Sequence, residues 1–244
     1  MPIWLVALLL AVAGSAGGLV TAALLLVVSP STRVRVVPWL VSYAVGTLLG
    51  AALLGLMPEA LESLPAPRAF FALLAGILTF FVLEKLVLWR HSHDDHECDV
   101  HRSAATLVIF GDAVHTFVDG IVIAAAVLVS FPLGLTTALA IAAHEIPQEA
   151  GDFAILLAGG YTRSRALVLN LTSAIGGVVG ALAMLLFGSQ MPAAVPLVLA
   201  FAAGNFMYVA MADLIPTLHR GTLDQNAVRQ LILIALGIGT IWAI

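Results

Sequence analysis

Apolar residues run through this chain in long stretches, broken at short intervals by clusters of Pro, Gly, Ser and charge. A helix needs about 20 apolar residues to cross a hydrocarbon core of ~30 Å. On that rule the pattern predicts eight helical spans, over residues 3–28, 38–57, 69–89, 104–129, 132–158, 166–188, 193–217 and 226–244. The breaks carry turn chemistry: SPSTRVRVVP, PEALESLPAPR, the His-rich stretch after Arg90, FPLG, GGYTRSR, GSQMP and LHRGTLDQ. The first run has no Lys or Arg before it and is too long for the core of a signal peptide, so it is read as a span. Three GxxxG pairs, Gly14/Gly18, Gly46/Gly50 and Gly176/Gly180, let helix backbones approach closely. Packing inside one bundle is the plain reading of them, and a dimer seam the other. No strong internal repeat stands out in the sequence.

Composition sharpens the picture. The chain is 61% hydrophobic and 10% charged, with a mean hydropathy of +1.09. Soluble domains carry about 25% charged residues, so the fold class is an all-α polytopic membrane protein, a single transmembrane domain over 1–244. A net charge of −4 with no basic cluster argues against nucleic acid as a partner and leaves the lipid bilayer. The single Cys98 excludes an internal disulfide and a CxxC site.

The basic residues orient the chain. Arg33, Arg35, Lys85, Arg90, Arg102, Arg163, Arg165, Arg220 and Arg229 all lie in or beside odd-numbered loops, and only Arg68 lies in an even one. By the positive-inside rule the odd loops are cytoplasmic and both termini face outward, in a multi-pass protein of the cell membrane.

Polar chemistry concentrates in the fourth and fifth spans. GDAVHTFVDG carries Asp112, His115, Thr116 and Asp119, within an arc of about 100° on a helix. HEIPQEAGD carries His144, Glu145, Gln148, Glu149 and Asp152, within about 140°. Each acid at mid-bilayer depth costs ~2.5–3.5 kcal/mol on insertion scales, and neither segment contains a Lys or Arg to offset it. Protons or cations can. The spacings His115/Asp119 and His144/Gln148 place an i, i+4 pair on each helix, which together can close a shell of two nitrogens and two oxygens. That shell suits Zn²⁺ first, with Cd²⁺, Fe²⁺ and Mn²⁺ as further candidates. Glu145 and Glu149, offset around the helix, can form a second and harder site. Pro147 frees the carbonyl of Ala143, a device tolerated in a membrane where the backbone lines a cavity. The bland alternative is a polar network that only holds helices together.

Elsewhere, His91, His93, His96, Cys98 and His101 lie in a loop over residues 90–103, mixed with Asp94, Asp95, Glu97 and Asp99. Short His-rich tracts bind metals without a fixed fold, so this cytoplasmic loop is a candidate to receive or sense metal. Asn170 and Ser173 in span six, and Asn205 and Asp213 in span seven, are candidates to line the pathway, or only to bond helices together.

HTFVDG followed by HEIPQEAGDF resembles the paired motifs of the ZIP (Zrt/Irt-like) metal transporters, nearest to their histidine-rich branch, in a bacterial-type chain. YAVGTLLGAALLGLMPEAL, FVLEKLVLWRHSH and FMYVAMADLIP are similar to that branch's second, third and seventh spans. The resemblance implies eight spans, both termini outside, metal moved toward the cytoplasm and a homodimer, here in a bacterial inner membrane. It also implies that His115, Asp119, His144 and Gln148 form the principal metal site, with Glu145 and Thr116 beside a second. Two positions depart from the family pattern: Thr116 stands where Asn is usual, and Gln148 where His or Glu is. The sixth span offers no carboxylate around Gly176 and Gly177. The expected function is therefore a zinc permease and not an enzyme. Its rivals are an intramembrane zinc peptidase, since HEIPQ approaches HExxH but has Gln148 in place of the second His, and a proton channel or structural membrane protein.

Overall fold

The computed structural model describes residues 1–91, 97–188, 190–219 and 225–244. Its α-helices are α1 (Ile3–Val27), α2 (Pro30–Gly50), α3 (Met57–Ser63), α4 (Ala66–His91), α5 (Glu97–Val129), α6 (Phe131–Ala158), α7 (Arg163–Ser173), α8 (Ile175–Gly188), α9 (Val195–Tyr208), α10 (Ile215–Leu218) and α11 (Gln225–Trp242). No strand occurs among the described residues. An all-helical chain is what a bilayer demands, because each helix satisfies its own backbone in a solvent that offers no hydrogen bonds.

The helices outrun the apolar stretches. Residues 30–37, expected to form a break, are the first turns of α2. Ser29 caps them, accepting from the Thr32 amide at 3.3 Å, and Pro30 occupies the first turn, where its missing N–H costs nothing. Pro38 then lies inside the helix, and the Ser42 hydroxyl donates to its carbonyl at 2.7 Å. The polar residues of this segment thus extend a helix rather than interrupt one.

Two rods carry a widened π turn. Ala51–Leu56 joins α2 to α3, and Val209–Leu214 joins α9 to α10. The Met57 amide reaches back to the Ala52 carbonyl, and the Ile215 amide to that of Ala210. Each turn lies just ahead of a proline, in the runs Leu56-Met57-Pro58 and Leu214-Ile215-Pro216. A proline ring clashes with the carbonyl four residues back, and a wider turn relieves that clash without ending the rod.

These rods expose a structural repeat. The α2–α3 rod packs against α11, while the similar α9–α10 rod packs against α4. Likewise α1 packs against α6 and α8 against α5. Glycines allow the closest approaches: a Cβ on Gly46 would run into the Ile234 carbonyl, one on Gly204 into that of Leu73, and one on Gly180 into that of Phe117. All three GxxxG pairs thus meet neighbouring helices of the same chain.

Among the described residues, six helical stretches are long and apolar enough to cross a membrane: Ile3–Val20, Val34–Ser63, Ala66–Lys85, Ile109–Val129, Arg163–Gly188 and Pro192–Leu218. The two other expected spans fall outside that set for different reasons. In α11 the apolar stretch, Ala227–Trp242, is short. In α6 the run is broken by its own polar residues from His144 to Asp152.

Candidate metal centre

Helices α5 and α6 pack side by side, and their polar arcs face each other. Nε2 of His115 lies 3.0 Å from Nε2 of His144. Asp119 Oδ2 is 3.6 Å from the first and 3.4 Å from the second, and Glu145 Oε1 is 3.8 Å from His115 Nε2. His115, Asp119, His144 and Glu145 each offer one ligand atom, all within 4.8 Å of one another, and all four residues are buried.

Two features make this arrangement receptive to a cation. His144 Nδ1 lies 3.2 Å from the Ala140 carbonyl, one turn back on its own helix. An N–H there leaves Nε2 with a free lone pair aimed at the cluster. None of the four carboxylate oxygens of Asp119 and Glu145 has a hydrogen-bond partner. Buried polar atoms are nearly always paired, and a buried carboxylate without a donor is costly. A divalent cation supplies what the protein withholds, since two carboxylates balance its charge and two imidazoles complete a tetrahedral shell.

Beside this group, Asp112, Glu145 and Glu149 form a second buried set that could hold an ion, sharing Glu145 with the first. Both Glu149 oxygens lack partners, as do the side-chain atoms of the buried Asn170 on α7. Gln148, one turn after His144 on α6, has a hydrogen bond to Asp112 on α5. Its amide donates to Asp112 Oδ1 at 3.4 Å, and the other Asp112 oxygen accepts from Ser173. Thr116 donates to the Ser173 carbonyl at 2.9 Å. Asp152 is half-buried at the end of this polar tract.

Asn205 is fully buried on α9 with no partner for its amide. Asp213 is exposed, within the π turn; its electrostatic neighbour is Glu84, which accepts from the Tyr208 hydroxyl. His93 and His96, and the side chains of His91, Cys98 and His101, lie outside the described residues.

Several neighbours of the site escape a reading of the sequence. Phe80 on α4 meets the His115 ring edge-on, with centroids 5.7 Å apart, and Phe206 on α9 lies 6.2 Å from the His144 ring. Phenylalanine in an apolar run carries no signal of its own. Gly18 on α1 is where Glu145 seats, since a Cβ there would run into that of Glu145. A Cβ on Gly177 would lie 2.7 Å from the Ser15 hydroxyl, so α8 has no room there for an acidic side chain. Glu84 carried a signal that was available, an acid within the third apolar run.

The sequence profile of the ZIP Zinc transporter family matches residues 1–104 and 89–244. Zinc transporter ZIP13 of Pongo abelii is 36% identical over 216 residues, covering 82% of this chain and 64% of the relative. ZIP13 of Danio rerio is 29% identical over 255 residues, covering 82% and 73%. Zinc transporter ZIP10 of Mus musculus is 37% identical over 136 residues, covering 56% and 16%. The chain thus spans less than two thirds of the first of these relatives, and only a small part of the third. A profile matching from end to end, on an all-helical chain with apolar membrane-length helices, leaves one conclusion: this is a multi-pass membrane protein of the ZIP zinc transporter family.

Proposed function

We propose that this chain is a divalent metal permease, with zinc as its principal cargo and no enzymatic activity. The carrying observation is the buried group of His115, Asp119, His144 and Glu145, whose carboxylate oxygens accept no hydrogen bond within the protein. An ion entering between α5 and α6 exchanges water for two imidazole nitrogens and two carboxylate oxygens. Gln148 borders this shell. Glu149 and Asp112, sharing Glu145, offer a second station of oxygen ligands. Such a station accepts harder ions, and Cd²⁺, Fe²⁺ and Mn²⁺ are the expected competitors. The polar side chains of Thr116, Asp152, Asn170 and Ser173 flank the two stations, and Asn205 and Asp213 serve the approach. Access alternates by movement of helices around this central site, the general solution for secondary transporters.

The expected frame is eight spans in one domain, with α6 and α11 completing the set. Nine of ten basic residues in odd loops support outward termini and inward transport. Three of those residues lie over aromatic rings, Lys85 on Phe81, Arg165 on Tyr161 and Arg229 on Trp39, the pairing expected at one membrane interface. The setting is a bacterial inner membrane, the assembly a homodimer, and the His-rich segment over 90–103, whose ends belong to α4 and α5, a cytoplasmic metal receiver.

Zinc flux into proteoliposomes tests the proposal. The purified protein should carry zinc, and His144→Ala should remove at least about 99% of that flux, since losing a ligand of a four-coordinate site forfeits most of its affinity. Cleavage of a membrane peptide without flux would establish the peptidase reading instead. Proton current without zinc movement would establish the channel.

A further inference from the structure

The seam between α2 and α11 carries chemistry that metal binding does not use. Trp39 on α2 lies beneath Arg229 of α11, whose guanidinium is 4.9 Å from the centre of the ring. The indole N–H of Trp39 is buried and has no acceptor among the described residues. Buried donors are nearly always paired, and an orphan of this kind is costly. Arg35 is exposed one turn ahead of Trp39, on the same side of α2. Between them α2 and α11 hold Arg33, Arg35 and Arg229 and no acidic residue, so the end they share is positive.

Farther along α2 the surface turns apolar. A cavity of about 270 Å³ opens between three helices, lined by Leu40 and Tyr43 of α2, Gly17 of α1, and Leu139, Ala142 and Ile146 of α6. Trp39, Tyr43 and Leu40 fall within an arc of about 100°, so the cavity and the indole share one side of the helix. Tyr43 joins the two, since it lines the cavity while its hydroxyl donates to Thr240 of α11 at 3.2 Å. From Arg35 to Tyr43 the helix rises about 12 Å.

That succession fits one kind of molecule. A phosphodiester at the level of Arg35 and Arg229 meets two guanidinium forks, which match phosphate geometry. An oxygen of the same headgroup reaching the seam supplies the acceptor that the Trp39 N–H lacks. One acyl chain then runs inward and lies beside Leu40 and Ala142. A soluble anion would satisfy the basic end and leave the apolar cavity unused, and a lipid without net charge would do the reverse.

We propose that the α2–α11 seam and the adjoining cavity form a site for an anionic phospholipid. The orientation proposed above puts it in the cytoplasmic leaflet, where acidic lipids gather around juxtamembrane arginines. The contacts themselves depend neither on that orientation nor on the metal-site reading. Ala143 also lines the cavity, immediately before His144, so the bound chain lies against the helix that carries metal ligands.

Native mass spectrometry of the full chain in neutral detergent tests this, with dioleoyl phosphatidylglycerol as the probe and dioleoyl phosphatidylcholine as the zwitterionic control. The phosphatidylglycerol adduct should be at least about 10-fold the tighter. Arg35→Gln and Arg229→Gln should each weaken it about 5-fold, the scale of one basic contact to an anionic lipid. Trp39→Phe keeps a ring under Arg229 and removes the N–H, and should weaken it about 10-fold. Ala142→Leu fills the cavity. It should weaken the dioleoyl lipid about 5-fold and leave dihexanoyl phosphatidylglycerol unchanged. A native-like cooperative melt without lipid identifies the folded variants. Should Trp39→Phe or Ala142→Leu lose that melt, the two arginine variants, at exposed positions, carry the test. Equal binding of the two dioleoyl lipids, or native affinity in any folded variant, would overturn the proposal. So would inorganic phosphate displacing the lipid at equal concentration, which would make the site one for a free anion.

Discussion

Two helix pairs in this molecule are built on opposite principles. The α4–α9 pair closes through glycines, with Gly76 against the Phe201 carbonyl and Gly204 against that of Leu73. Its notable polar contact, Tyr208 to Glu84, has both donor and acceptor present. The α5–α6 pair instead faces itself with imidazoles and carboxylates, several of the carboxylate oxygens accepting no hydrogen bond. Glycine packing gives many dispersion contacts between backbones, which suits a joint that stays put. A seam of unsatisfied ligands is stable only when something else enters it. Phe80 and Phe206 bring the two pairs together, since the rings that border His115 and His144 come from α4 and α9.

The sharpest way to break this comparison is to damage each pair and read both outcomes. His144→Ala should remove zinc binding, at least about 100-fold, while leaving the apo protein's melting temperature nearly unchanged or raised, because it relieves a crowded polar cluster. Gly204→Val should do the reverse. Its side chain collides with the Leu73 backbone, which cannot move aside, and overpacking of this kind costs about 1–3 kcal/mol. The variant should melt earlier, yet the fraction that remains folded should bind zinc as the native chain does. If Gly204→Val abolished zinc binding in folded protein, the two pairs would not be separable.

Acid should act on zinc binding at the α5–α6 pair. Protons compete with zinc for imidazole nitrogens and carboxylate oxygens, so binding releases protons and affinity falls as the pH drops. Each ligating imidazole contributes up to about a tenfold loss per pH unit below its titration range. Zinc affinity measured from pH 7.5 down to pH 5.5 should therefore decline steeply. His115→Ala should flatten that decline by about one proton per ion.

How much of this was legible beforehand depends on the kind of contact. The all-helical membrane fold follows from hydropathy alone, because lipid leaves few other solutions. The two helices that carry the polar cluster were equally plain, since seven ionisable residues in two apolar runs are costly in lipid and mark a functional site by default. A helical wheel gives the face of a residue but not its neighbour on the next helix. The i, i+4 spacing paired Gln148 with His144, but it could not show that the crossing of α5 and α6 brings Glu145 near His115 and the Gln148 amide to Asp112. Helix ends were missed where a capping serine and a proline prolonged α2 past its apolar residues. The repeat was invisible as sequence because it is conserved in backbone shape, a π turn before a proline, and in pairing, rather than in side chains.

The smallest expected effect tests whether polarity alone makes a seam functional. The Tyr208–Glu84 bond joins α9 to α4 across the pair that glycines already close. Tyr208→Phe removes the donor and leaves the ring, and a hydrogen bond to a charged acceptor contributes about 1.5–3 kcal/mol where it is shielded from water. Both side chains are only half-buried, so a loss at or below the lower end is expected. Thermal melting should register that loss, while zinc affinity and the flux per folded molecule should not change. A large fall in flux at native stability would place Glu84, with Asp213 beside it, on the ion's path, and the α4–α9 pair would then share the work assigned to α5 and α6 alone.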